Sequence, residues 1–213
     1  MTPSARVHNE RKKNMNKNGK KLSTAKLTKI AMLGALATIL MLWQVPLPFA
    51  PSFYQLDLSE LPVIIGAFAM GPIAGIIIEL IKILLNFIIN GTVTAGVGEI
   101  SNFLIGCAFI VPSSIIYKRV HSKKGAIHGL GIGIISMVIV GCLLNAFVIL
   151  PAYVYFMGMD MESIIGMATA LNPAVDSLWT FILLAVAPFN AIKGALITSI
   201  TLLIYKKVRV LLK

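Results

Sequence analysis

The sequence predicts an all-α integral membrane protein, a bundle of about six transmembrane helices with both termini in the cytoplasm. Three observations carry this prediction. First, of 213 residues, 57% are hydrophobic and 13% charged, about half the charged share of a soluble domain, whose surface must face water. Second, the mean hydropathy of +0.88 is spread over long apolar runs rather than gathered in one core. Third, the formal charge of +11 is concentrated between those runs. Arg6, Arg11, Lys12, Lys13, Lys17, Lys20, Lys21, Lys26 and Lys29 form an N-terminal group. Lys118, Arg119, Lys123 and Lys124 form a second, and Lys206, Lys207, Arg209 and Lys213 a third; only Lys82 and Lys193 stand apart. Basic flanks between apolar runs mark cytoplasmic loops. A nucleic-acid partner would need a basic face on a folded domain, which this distribution excludes.

A spanning helix needs ~20 apolar residues. Residues 1–25 are polar and basic and read as a disordered tail, leaving 26–213 as one membrane domain. Helix one runs from Leu27 to Val45 and stops at Pro46 and Pro48. A loop follows, from Phe49 to Glu60. Helix two, Leu61 to Met70, is short for a span and ends at the turn signal Gly71-Pro72. Helix three covers Ile73 to Ile89 and carries Glu79, Lys82 and Asn86. A glycine-rich loop, 90–98, leads to helix four, Glu99 to Tyr117. Helix five runs from Ala126 to Leu150, with Pro151 as its stop, and a long loop leads to helix six, Leu178 to Tyr205. Six crossings place every basic cluster inside and leave Asp57, Glu60, Glu99, Asp160, Glu162 and Asp176 outside. Five or seven would put a basic cluster on the wrong side.

Polar groups at membrane depth are costly and mark function by default. At 1.5 Å rise per residue, Asn86, Asn102, Asn145, Asn190 and Lys193 converge on the outer half of the bundle, as if lining a polar cavity. Asn190 and Lys193 share one helix face, and Pro188 interrupts the backbone ladder beside them, freeing a carbonyl. Interhelical glue is the alternative for any single asparagine. Glu79 and Lys82, also three apart, read as a mainly structural ion pair. Ala31, Gly34 and Ala35 give helix one a small-residue face that another helix can approach closely.

Other motifs fail. The 90–98 loop has no Gly-Lys-Ser/Thr, so it is no phosphate loop. The three histidines lie in the tail or at the cytoplasmic loop, without metal-ligand spacing. No serine has a His and acid partner at its depth, and no metal, cofactor or enzymatic activity is expected.

Several segments, in order, resemble the substrate-binding (S) components of energy-coupling factor (ECF) vitamin transporters, most closely the riboflavin-specific ones. They are Asp57-Leu-Ser-Glu60-Leu-Pro62, Phe68-Ala-Met-Gly71-Pro72-Ile-Ala-Gly75, Glu79-Leu-Ile-Lys82, Gly91-Thr through Gly96-Val-Gly98-Glu99-Ile-Ser-Asn102-Phe103, Leu144-Asn145, Leu150-Pro151-Ala-Tyr153 and Pro188-Phe189-Asn190-Ala-Ile-Lys193-Gly194. The resemblance implies a riboflavin-capturing subunit in a bacterial plasma membrane. It also implies a transmembrane coupling subunit and two ABC-type ATPases as partners. Asn145, Asn190 and Lys193 match ligand-contacting positions of that family, and Gln55, Leu56 and Asp57 match part of a segment capping the site. Ala31 and Ala35 match its contact with the coupling subunit. Phe53, Tyr54 and Tyr153 are candidate walls for the flavin ring. The competing readings are an S component for another vitamin, such as thiamine, and an ion-coupled secondary transporter.

Overall fold

The computed structural model describes residues 23–48, 51, 53–92 and 94–208; most of the basic tail lies outside them. Helix α1, Thr24–Met41, opens where the Ser23 side chain accepts a hydrogen bond from the Lys26 N–H. Strand β1, Val45–Pro46, pairs antiparallel with β2, Gln55–Leu56, so the expected loop after helix one is a small hairpin. Helix α2, Glu60–Met70, and α3, Pro72–Asn90, meet at Gly71, whose φ of 94° suits a residue without Cβ. Pro72 occupies the first turn of α3, where its missing N–H costs nothing. Helix α4, Val97–Val120, ends at His121, and Ser122 caps the start of the next helix by accepting from the Gly125 N–H.

Among the described residues, five helices are long and apolar enough to cross a membrane: α1, α3, α4, α5 (Lys123–Met157) and α7 (Leu178–Tyr205). The sixth expected span is α2, which has 11 residues. Those residues reach only about 16 Å at helical rise, roughly half the ~30 Å hydrocarbon core. Its Val63, Ile64 and Ala67 are buried in the bundle, so this sixth helix is a short one packed among the others.

Two sequence expectations are corrected here. Pro151 does not stop helix five, and the segment after it is not all loop. Residues Asn145–Ile149 widen into a π turn in which the Leu150 N–H reaches back to the Asn145 carbonyl. The helix then continues through Pro151 to Met157. A further short helix, α6, Met161–Thr169, lies in the 151–177 stretch. The same device recurs in α7: Ile182–Val186 form a π turn two residues before Pro188. A widened turn leaves room for a ring that would otherwise clash with the carbonyl four residues back.

The apolar interior falls into two clusters. The larger joins α1 to α4 with parts of α5 and α7 around Ile64, Ile78, Phe109 and Ile197. The smaller gathers Ala146, Ile149, Tyr153, Ile164, Phe181 and Val186 beside Phe53 and Tyr54. Helices α4 and α5 pack closely because Gly129 and Gly133 face the Ser113 and Phe109 carbonyls, where a methyl group would collide. Ile73, Ile88, Ile135, Leu183 and Leu203 are more than half exposed around the bundle, an apolar surface suited to lipid rather than water.

Candidate functional site

A cavity lies where the two clusters meet. It is lined by Phe53, Tyr54 and Gln55 of the hairpin segment, Ser101, Asn102 and Ile105 of α4, Met137, Asn145, Ile149 and Tyr153 of α5, and Phe189, Asn190 and Lys193 of α7. The empty space within it, its open mouth included, is ≈ 580 Å³.

The sequence expectations separate at this point. Asn102, Asn145, Asn190, Lys193, Gln55 and Tyr153 are brought together on one cavity wall set. Asn86 is not: it is buried elsewhere on α3 and its Oδ1 accepts from Asn90 Nδ2 at 3.0 Å. Leu56 pairs with Val45 in the hairpin, and Asp57 reaches the site through Lys193. Ala31 and Ala35 are exposed on α1, whereas Gly34 faces inward and gives its space to Ile81. Gly34 therefore serves the α1–α3 contact rather than the outer face.

Each polar wall group is held by a local cause. Asn145 starts the π turn of α5, its Nδ2 donating to the Gly141 carbonyl at 2.8 Å while its Oδ1 accepts the Tyr54 hydroxyl at 2.6 Å. Asn190 Nδ2 donates to the Val186 carbonyl at 2.9 Å, at the end of the second π turn. Gly141 makes room for it, since a Cβ there would sit 2.8 Å from Asn190 Nδ2. The two proline-linked π turns thus each place one amide at the cavity. Lys193 Nζ donates to Asp57 Oδ2 at 3.0 Å, and Asp57 Oδ1 accepts the Ser59 N–H at 2.8 Å. That pair is almost wholly buried and ties the hairpin segment down onto α7.

Burial by itself would raise the Asp57 carboxyl, but the Lys193 and Lys82 ammoniums and the Ser59 N–H hold it below the ordinary carboxylate value. Burial pushes the Tyr54 phenol well above its ordinary value, so it stays a hydrogen-bond donor. Around these groups the rings close in: Tyr54 lies 4.7 Å from Phe53 and 5.1 Å from Phe189, and Phe53 meets Tyr153 edge-on at 5.8 Å. Aromatic walls with a few fixed amides and one ammonium suit a flat, polar-rimmed heterocycle. No group of three or more His, Cys, Asp or Glu that could hold a metal is present among the described residues.

Phe189, Ser101 and the Asp57–Lys193 pair went unassigned as site features in the sequence. The pair had a signal: Lys193 is one of two lysines away from the basic flanks, and a buried lysine needs an acid. Phe189 had only its place beside Asn190.

The family model for the ECF transporter substrate-specific component matches residues 25–205. The chain belongs to this family. Riboflavin transporter RibU of Staphylococcus aureus strain TCH60 is 37% identical over 207 residues, covering 97% of this chain and 99% of the relative. Riboflavin transporter FmnP of Bacillus subtilis strain 168 is 35% identical over 191 residues, covering 88% and 94%. A solved S component of a bacterial ECF transporter matches with a TM-score of 0.69 at 35% identity, over 89% of this chain and 98% of that one. The chain is therefore a multi-pass membrane S component, a transport subunit and not an enzyme.

Proposed function

We propose that this S component captures riboflavin in the cavity between the hairpin segment, α4, α5 and α7. The observation that carries the reading is the convergence of Asn145, Asn190 and Lys193 on a cavity walled by Phe53, Tyr54, Tyr153 and Phe189. The riboflavin transporters among its relatives support the same ligand. The isoalloxazine ring packs on the aromatic walls, and the amides, Lys193, Asn102 and Gln55 serve its polar edge and the ribityl hydroxyls. A thiamine site would instead offer acids to a cationic ring, and Asp57 is already engaged by Lys193.

The chain acts in a bacterial plasma membrane with both termini in the cytoplasm. It hands the vitamin to a transmembrane coupling subunit driven by two ABC-type ATPases. Ala31 and Ala35, exposed on α1, are the contact for that subunit. Titration of the purified protein into riboflavin tests the ligand: flavin fluorescence should be quenched to saturation and excess thiamine should not restore it. Quenching reversed by thiamine, or none at all, would refute the assignment.

A further inference from the structure

The segment that leads from the hairpin into α2 is tied to three different helices. Tyr54 Oη donates to Asn145 Oδ1 of α5 at 2.6 Å. Asp57 Oδ2 accepts from Lys193 Nζ of α7 at 3.0 Å, and Glu60 Oε1 accepts from Lys82 Nζ of α3 at 2.8 Å. Asn145 and Lys193 line the cavity, whereas Glu60 and Lys82 stand outside its lining. Riboflavin capture as described above uses the first two ties and leaves the third without a role.

Between the second and third ties the chain has little slack. Asp57 Oδ1 accepts the Ser59 N–H at 2.8 Å, and the Leu61 N–H donates to the Leu58 carbonyl at 3.0 Å. The backbone from Asp57 to Leu61 is therefore folded into turns. Leu58 packs on the larger apolar cluster, and Asp57, Ser59 and Glu60 are buried. At the far end Lys82 also meets Glu79 Oε1 of its own helix at 2.7 Å. Gly106 of α4 leaves space for both carboxyls: a Cβ there would collide with Glu79 Oε1 and lie 3.1 Å from Glu60 Oε1. Glu60, Glu79 and Lys82 are essentially inaccessible to solvent. Separating such a pair strands charge away from water, so the contact resists displacement.

We propose that Glu60 and Lys82 are positioning residues for ligand capture. Their ion pair fixes the start of α2 against α3. Through the buried turns it sets where Asp57 holds the Lys193 ammonium and how Tyr54 and Gln55 stand at the cavity. Neither side chain touches the vitamin. Glu79 contacts the same lysine but lies on α3, so it shares the charge and not the tether. This rests on riboflavin being the ligand of the cavity.

Riboflavin quench titrations of the full-length protein in detergent, on wild type, Glu60→Met and Glu79→Met, test the assignment at a temperature where each is folded. Methionine is unbranched and fills irregular space, and each variant leaves Lys82 one carboxylate. E60M should weaken binding about tenfold, the order of one charge-assisted hydrogen bond, while E79M binds as the wild type does. Equal loss in both variants marks a general loosening of the bundle and would overturn the proposal, as would no loss in E60M. In an Asp57→Asn background E60M should add little further loss. A full additional loss would show the two ties to be independent and would also overturn it. Should E60M fail to fold, Glu60→Gln against Glu79→Gln takes its place, with the same order of affinities expected. A wild type that does not quench removes the riboflavin reading and this inference with it; a wild type that quenches beside an unaffected E60M removes the inference alone.

Discussion

Replacing Gly141 with alanine would set a methyl group 2.8 Å from Asn190 Nδ2, inside van der Waals contact. The amide must turn away from the cavity, so G141A should weaken riboflavin binding by about tenfold or more, the loss of one hydrogen bond to a fixed group. A quench titration that gives the wild-type affinity would show that Asn190 does not serve the ligand. Asp57 makes a second prediction at this scale. Its carboxyl is held below the ordinary value by Lys193 and Lys82. Its contribution is therefore complete above an unfolded value of about 3.9 and is lost only as pH falls through the lower folded one. Riboflavin affinity should stay level between roughly pH 8 and pH 5. A steep fall across that range would mean that the clamp titrates and that Lys193 does not hold it ionised.

Elements show what was and was not legible in the sequence. The five long spans could be read from apolar length, and Asn145, Asn190 and Lys193 from their depth and spacing. Pro151 misled because the π turn at Asn145–Ile149 gives the helix room to run on past it. The hairpin went unread because two-residue strands carry no period, and Glu60 was placed outside because nothing local marks the start of a buried helix. Asn86 could not be sorted from the cavity amides without knowing which way its face of α3 points; it bonds Asn90, one turn on along the same helix. Packing between elements supplies a further prediction. Lys82 on α3 holds carboxyls from both α2 and α3, so Lys82→Met should destabilise the protein by about 3–5 kcal/mol through the charge left unpaired. A melting curve near that of the wild type would show the cluster to be dispensable.

For the molecule as a whole, the surfaces proposed for binding and for coupling are different. The cavity lies between the hairpin segment, α4, α5 and α7, while Ala31 and Ala35 lie exposed on α1, flanking Gly34 and its contact with α3. Ala35→Trp, with or without Ala31→Trp, should therefore leave riboflavin binding unchanged and abolish uptake in cells that supply the coupling subunit and ATPases. Uptake at the wild-type rate would move the partner contact elsewhere. The most direct test of the central claim is the absorbance spectrum of the protein purified in detergent from riboflavin-containing medium. A flavin spectrum in the wild type, absent from Asn190→Ala and Lys193→Ala variants of normal thermal stability, is the predicted result. A colourless wild-type protein, or variants that retain the flavin in full, would contradict it.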